Sequence, residues 1–514
     1  MRSELSTGPW LACWASLLLS LCPAPAADRP QWGEAWSRNM VSAETNLPET
    51  FDPATGKNIK WSAQLGTEAH SSPVIAGGRV YIGTNNGNPR DPTHQGDRGV
   101  LMCFEEQTGK FLWQLVVPKR AEDIYFDWPQ SGISSPVTVE GDRVYLVSNR
   151  GEVMCLDANG MANGNDGPFK DEGTHMTVKP PDPAATNSPT ALTPGLLDAD
   201  IIWLFDLPTG AGIWSHDAAH SSIIVRGDYL YLNSGTGVDN THKKIRTPDA
   251  PSLVVLNKHT GQLVARDYEH MAPNIFHSTW CAPSLAEVNG HPLVFFGGGN
   301  GIVYAFETVE HASPRAIGEP RRLKEVWQFD FDPTSPKNEV HRYNSNRSES
   351  PSNFYGMPVF YHNRVYIAGG GDIWWGKNQA WLKCIDATGS GDITSQGLIW
   401  SYPLQKHVMA TAAIADGLIF IADCGRVLHC VDAKTGKGCW TQEIAGEPWA
   451  SALVADGKVY LGTRSGNFYV MTATREKKLL ASLDLKSPIS ATATAANGAL
   501  YVATMNRLYA IRSE

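Results

Sequence analysis

The 514-residue sequence predicts an all-β fold: an eight-bladed β-propeller of four-stranded antiparallel blades, its ring closed by the N-terminal segment. Three observations lead there. A turn followed by an alternating strand recurs eight times, a hairpin ending in Trp recurs with it, and the last repeat is missing a piece that stands alone near the other end. The strand Arg507–Ile511 lacks the turn and Trp-bearing strand that follow its counterparts, and Phe51–Trp61 supplies them. A linear array has no reason to divide a repeat between its ends. A ring does, because a blade built from both ends leaves no open sheet edge.

The first element is a small-residue lead into a strand: Ser71-Ser72-Pro73-Val74, Ser134-Ser135-Pro136-Val137, Cys281-Ala282-Pro283-Ser284. The second is the turn and strand, at Gly78–Ile82, Asp142–Leu146, Asp228–Leu232, Pro292–Phe296, Asn363–Ile367, Gly417–Ile421, Gly457–Leu461 and Gly498–Val502. β-Branched and aromatic residues at period two, bounded by Gly or Asp, are strand signals. The third is the hairpin, read in Phe104–Trp113 and Val431–Trp440, where Thr-Gly-Lys makes the turn and Gly is free to take positive φ. Its last strand carries Trp61, Trp113, Trp203, Trp327, Trp400 and Trp440, with Ala265 and Ala481 at the two degenerate copies. Phe420, Tyr460 and Tyr501 are spaced by 40 and 41 residues, one blade each. Earlier repeats are stretched by insertions at about 158–198, 310–322 and 333–352, expected as loops on one face.

Residues 1–26 read as a signal peptide: Arg2, an apolar run from Trp10 to Leu21 too short to span a bilayer, then Ala24-Pro25-Ala26. One propeller domain, 27–514, follows, and the expected location is periplasmic or extracellular. The alternative is a lipid anchor at Cys22, against which Leu21 stands where a small residue is required. No other segment reads as transmembrane. Net charge is −9 with no basic run, which argues against nucleic acid as a partner. Cys103, Cys155, Cys384 and Cys430 share one strand position in separate blades, which favours buried thiols over disulfides, while Cys424 and Cys439 lie in one blade.

Two loops invite chemistry. Asn163, Asn165 and Asp166, followed by Asp171-Glu172, offer oxygens suited to Ca²⁺, although consecutive turns explain the same composition. Trp374-Trp375, beside Gly369-Gly370-Gly371, make either a stacking platform at a pocket mouth or a packed loop. The lead-in positions should face the ring axis. Three residues before each Pro-equivalent stand His70, Ile133, Ala219, Trp280, Tyr355, Met409, Trp449 and Ser490, with His220 and His277 beside them. His70, His220, His277, Trp280, Tyr355 and Trp449 are therefore channel candidates for a flat ligand, against the alternative that aromatics plug the channel. Arg347 is a candidate for pairing a ligand carboxylate, and Asp423 a candidate catalytic base that equally suits an ordinary turn.

The x-D-x-x-T-G-x-x-x-W hairpin in eightfold register, closed through the N-terminus, resembles the pyrroloquinoline quinone (PQQ) repeat family over about residues 30–514. The resemblance implies an eight-bladed propeller whose Trp residues, here Trp61, Trp113, Trp203, Trp327, Trp400 and Trp440, dock between blades. It also implies one of two roles: a quinoprotein alcohol or sugar dehydrogenase holding PQQ, usually with Ca²⁺, or a non-catalytic scaffold similar to the propeller lipoprotein of the outer-membrane β-barrel assembly machinery. The sequence departs from the alcohol-dehydrogenase pattern. It has no adjacent Cys pair, no C-x-x-C-H haem motif, and no Glu, Asn and Asp metal ligands placed by motif. The expectation is an exported non-catalytic propeller that binds a ligand or an envelope protein. The alternative is a PQQ-dependent oxidoreductase with the quinone in the channel. A hydrolase or lyase is a third reading, for which no nucleophile–base spacing is evident.

Overall fold

The computed structural model describes residues 27–513 except 121, 122, 124, 125, 179–189, 218–220, 314 and 317. The signal-peptide reading and the candidates His220 and Ala219 lie outside the described residues.

Eight antiparallel sheets form, in the order the sequence predicts. Each runs from a short innermost strand to an outer one. Blade 1 spans Val74–Pro118, blade 2 Thr138–Asp206, blade 3 Ile224–Arg266, blade 4 Ser284–Asp330, blade 5 Val359–Leu404, blade 6 Ala413–Glu443 and blade 7 Leu453–Asp484. Blade 8 takes three strands from Thr494–Ile511 and its outer strand, Ile59–Gln64, from the N-terminal segment; Trp61 stands opposite Ala510. Closure thus gives the final blade four strands like the others and ties the two ends of the chain together.

The blades are joined by a repeated contact. Trp113 Nε1 donates to the Ala158 carbonyl of blade 2 at 2.9 Å, and Trp203 to Lys258 of blade 3 at 3.0 Å. Trp327, Trp400 and Trp440 reach Ala387, Ala433 and Thr474 of the following blades in the same way. Within its own blade each Trp faces a small residue: Cys103, Cys155, Cys384 and Cys430 oppose Trp113, Trp203, Trp400 and Trp440, and Ala305 opposes Trp327. Where the outer strand carries Ala instead, the partner is Val: Ala265 faces Val255 and Ala481 faces Val470. The repeated cysteine is thus a small buried residue that makes room for an indole, and all seven cysteines of the described chain are free.

The two interfaces without a Trp are filled by apolar residues from other segments. Between blades 3 and 4, Val309, Ala312 and Leu323 pack with Ala265, and Arg321–Arg322 adds a parallel strand beside it. Between blades 7 and 8, Leu47 and Phe51 pack with Ala481. Each segment restores buried apolar surface of the kind that holds the other interfaces.

Residues 29–42 fill the ring axis, and their bonds reach the innermost strand of every blade. Arg29 exchanges backbone bonds with Ile75 of blade 1, and Val139 N–H of blade 2 donates to the Pro30 carbonyl. Trp36 Nε1 donates to Val225 of blade 3, and the Trp36 carbonyl accepts from Leu285 of blade 4. Ser37, Asn39, Met40 and Ser42 then bond to Phe360, Ile414, Val454 and Ala495 of blades 5 to 8. Arg38 is fully buried at the centre, donating to the carbonyls of Trp32, Ser222 and Pro283 and to the Ser222 hydroxyl. No helix among the described residues is long and apolar enough to cross a membrane.

Candidate metal centre at the channel mouth

The lead-in loops gather at the mouth above this plug. Blade 3 brings two of them together, because Gly237 and Ser278 form a bridge and Thr279 N–H donates to Thr236. Glycine is required at the crossing: a Cβ on Gly237 would lie 2.7 Å from the His277 carbonyl and 2.8 Å from His216 Cβ. The crossing sets His216 beside His277. His242 arrives from a turn in which its N–H bonds to Asp239 and its φ is +57°.

The three imidazoles converge through their Nε2 atoms. His216 Nε2 lies 3.1 Å from His242 Nε2 and 3.1 Å from His277 Nε2. Asp217 adds a carboxylate oxygen 3.4 Å from His216 Nε2 and 3.8 Å from His277 Nε2. His216 and His277 are buried, while His242 and Asp217 are half-buried. Burial, reinforced by the two neighbouring imidazoles, pushes His216 down to about 2. Burial and the His277 imidazole lower His242, and burial pushes the Asp217 carboxyl up to about 6.

Behind His277 stands Asp372, wholly buried, accepting from His277 Nδ1 at 2.8 Å and from the Tyr355 hydroxyl at 2.5 Å. Burial alone would raise Asp372; the neighbouring His277 imidazole and the bonds the carboxylate accepts prevail and hold it down at about 2. With its Nδ1–H given to Asp372, His277 presents a bare Nε2 lone pair to the cluster.

Aromatic rings wall the cluster. Trp375 lies 4.6 Å from His242 between ring centres, Trp280 lies 4.7 Å from His277, and Trp374 lies 5.7 Å from His277. Trp280 is 4.9 Å from Tyr355, and the wall continues from Trp374 to Trp449 and on to His70 at 6.0 and 6.1 Å. Five candidates from the sequence, His277, Trp280, Tyr355, Trp374 and Trp375, therefore meet at one place, with Trp449 and His70 along the same rim.

The other candidates lie elsewhere or are otherwise engaged. The Arg347 guanidinium donates to the carbonyls of Ile373, Trp374 and Gly376, so it holds the Trp374–Trp375 loop. Asp423 accepts from Gln405 N, Gly425 N and His429 Nε2, clamping a turn in blade 6. At the oxygen-rich loop, Asn163 donates to Asp166, and the Lys170 ammonium contacts the Asn165 carbonyl and side-chain oxygens and the Asp166 carbonyl.

Sequence reasoning missed His216, Asp217 and His242. They fall outside the repeat register, so no alignment of repeats brings them forward. A signal was present in density: six of the 15 histidines fall between positions 216 and 277.

Fold, repeat register and ring closure define a β-propeller built from PQQ-type repeats. The family model described as outer membrane protein assembly factor BamB matches residues 97–162 and 324–513. The chain belongs to the PQQ-repeat, quinoprotein-like group of eight-bladed propellers. It is similar to a cytochrome c-linked 1-butanol dehydrogenase of Thauera butanivorans, 30% identical over 96 residues, which is 16% of this chain and 14% of that protein. A quinohemoprotein alcohol dehydrogenase of Comamonas testosteroni is 27% identical over 108 residues, 18% of this chain and 15% of that protein. The chain thus matches about one seventh of the length of these relatives. A europium-containing methanol dehydrogenase shares the fold with a TM-score of 0.56 at 11% identity, over 94% of this chain and 98% of that one.

Proposed function

We propose that this chain is an exported metalloprotein that holds one divalent transition-metal ion at the propeller mouth on His216, His242 and His277. Asp217 would stand at the ion's fourth position, its oxygen 3.4 Å from His216 Nε2, where it would either bind the ion or accept a hydrogen bond from a water on it. The convergence of three Nε2 atoms carries this reading. Zn²⁺ binds imidazole at about 2.0–2.1 Å, which in a tetrahedral site separates ligand atoms by about 3.3 Å; the observed separations of 3.1 Å are close to it. Hydrogen bonding alone accounts less well for the geometry, since one ring nitrogen faces two others at once and carries at most one proton. Imidazole and carboxylate ligands of this kind serve hydrolytic and Lewis-acid centres when one position is left to water. Among the readings from sequence this favours the hydrolase or lyase.

The residues present do not fit a calcium-held quinone. Ca²⁺ takes six to eight oxygen ligands, whereas imidazole suits Zn, Cu, Fe and Ni. Residues 29–42 occupy the axis, and of the cations at the rim Arg347 is engaged by backbone carbonyls. The non-catalytic envelope scaffold stands as a second reading, favoured by the exposed Leu196 and Leu197, at 72% and 58%, on the 158–198 insertion.

The test is metal content. The purified mature protein, equilibrated with Zn²⁺ and desalted, should retain one ion per chain by mass spectrometry, and His216→Ala or His277→Ala should retain none. Wild-type protein without a stoichiometric ion overturns the reading.

A further inference from the structure

We infer that Asp372 couples occupancy of the metal centre to the order of the Trp374–Trp375 strap, so that binding the ion seats an aromatic cover over it. The inference rests on the metal reading above. One carboxylate belongs to two structures at once. Its Oδ2 accepts from His277 Nδ1 and the Tyr355 hydroxyl, and its Oδ1 accepts from the backbone N–H groups of Trp374 at 2.9 Å and Trp375 at 2.8 Å. The Asp372 carbonyl also accepts from Gly376 N–H at 3.0 Å, closing the strap on itself. The first set orients a metal ligand and the second shapes the cover.

The strap is tight and its ends depend on glycine. Gly370 takes φ +153°, and a Cβ on Gly371 would lie 1.7 Å from the Lys377 carbonyl. This turn carries Trp375 against His242 and Trp374 against His277, so two of the three imidazoles are capped by its indoles. The insertion at 333–352 supports it from the far side, through Ser345 N–H to the Trp375 carbonyl and through the three bonds from Arg347. Trp374 remains 39% exposed, so the cover faces solvent and has room to lift.

The coupling follows from how the bonds depend on the ion. A cation on His277 Nε2 fixes the tautomer with hydrogen on Nδ1, fixes the ring plane, and makes Nδ1–H a stronger donor to Asp372. Without the ion, lone pairs on facing nitrogens repel, and His277 relieves them by turning or by moving its proton to Nε2. Either change takes a donor from a buried carboxylate whose other oxygen holds the strap. The effect is reciprocal: ion and closed strap strengthen each other by the same factor, so a strap that no longer closes holds the ion less tightly.

The experiment follows strap amide exchange in chelator-stripped mature protein, with and without one equivalent of Zn²⁺, alongside metal content. The expected result is one zinc per chain and exchange at Trp374 and Trp375 slowed by about tenfold or more, within the usual range of such couplings. Asp372→Asn offers one acceptor oxygen where four donors converge. It should bind zinc about 10–100-fold more weakly, lose ion-dependent strap protection, and change the visible bands of the Co²⁺-loaded protein. Arg347→Met leaves Asp372 and the ligands intact and loosens the strap from outside; it should weaken zinc, by at most the factor by which zinc protects the strap. Zinc bound with unchanged strap exchange overturns the coupling and leaves the metal centre standing. Failure to bind zinc at all overturns the metal centre and the coupling with it.

Discussion

Trp61 Nε1 donates to the Glu106 carbonyl at 2.8 Å, so the blade assembled from both ends of the chain holds blade 1 by the same bond that five other tryptophans make to the blade after them. Beneath Trp61 lies Gly109 of the Thr-Gly turn, where a Cβ would stand 2.6 Å from the indole; the matching distance from Gly436 to Trp400 is 2.5 Å. The glycine of the repeat therefore serves both the turn and the docking surface for the preceding blade's indole. Gly56 provides a control. It occupies the same turn with φ +81°, but the preceding blade has Ala481 in place of Trp and nothing lies within 4 Å. Gly109→Ala should lose about 1 kcal/mol for the left-handed backbone and a further 1–3 kcal/mol for the indole clash, whereas Gly56→Ala should lose only the first. Urea unfolding of the two variants checks this; equal losses would mean that the glycine serves the turn alone.

Cysteine placement makes a second prediction. Cys103 opposes Trp113 and is fully buried, and burial pushes its thiol well above the usual range. Cys103→Val adds a methyl group against an indole and should lower stability by about 1–3 kcal/mol, the range for overpacking. Val already stands at the equivalent position where Ala265 replaces Trp, and there it fits. Among the thiols of the described chain only Cys439 is partly exposed, 3.5 Å from Arg475 Nη1. A thiol reagent applied to the native protein should modify one cysteine, and peptide mapping should place it at Cys439.

Glu325 predicts a pH dependence. Burial, with the nearby Glu269 carboxylate, pushes Glu325 up to about 7. A raised carboxyl contributes stability that is present below its unfolded value near 4.3 and is lost as pH rises through its folded value. Glu325→Gln should therefore raise the melting temperature at pH 8 and leave it nearly unchanged at pH 4. Melting curves at the two values decide it, and a gain of equal size at both would remove the shared proton as the cause.

Processing can be read against Glu44. Ala27 N lies 2.9 Å from Glu44 Oε1, and the other oxygen of that carboxylate accepts from Gly498 N–H of blade 8. Cleavage after Ala26 would turn that amide into an ammonium, and a charged donor would strengthen the bond. The mature protein should begin at Ala27 by intact mass. In that form Glu44→Gln should lower the melting temperature more than Glu44→Gln does when residues precede Ala27.

The ring was legible because its information is local. Each strand, turn and Trp repeats in phase, and the divided repeat at Trp61 forces closure. What escaped depends on contacts between segments that share no period. Leu323 and Leu47 help fill the places of missing tryptophans from segments beside the repeats that carry no strand period. His277, Trp280 and Tyr355 were within reach because the lead-in register aligns them on the axis. His216 and His242 join them only through the crossing at Gly237, which exists in three dimensions and leaves no spacing in the chain.

Arg38 was the least legible residue of all, since an arginine in a Trp- and Gly-containing segment ordinarily reads as solvated. Four of its five N–H donors are engaged at the ring axis, joining the 29–42 plug to Ser222 at the start of blade 3 and to Pro283 at the start of blade 4. Burial lowers its guanidinium to about 9, which leaves it charged at neutral pH. Arg38→Ala would leave three carbonyls and a hydroxyl without their donor in a site closed to water. The loss should be about 3–5 kcal/mol, the range for breaking a buried charged network. Arg38→Lys keeps the charge but carries three donors on one nitrogen instead of a planar fork that reaches four acceptors, so it should recover only part of that loss. Because the plug bonds to all eight innermost strands, the destabilisation should appear as one cooperative shift of the whole unfolding transition. A separate early transition of one blade would show that the plug seals the axis without tying the ring together.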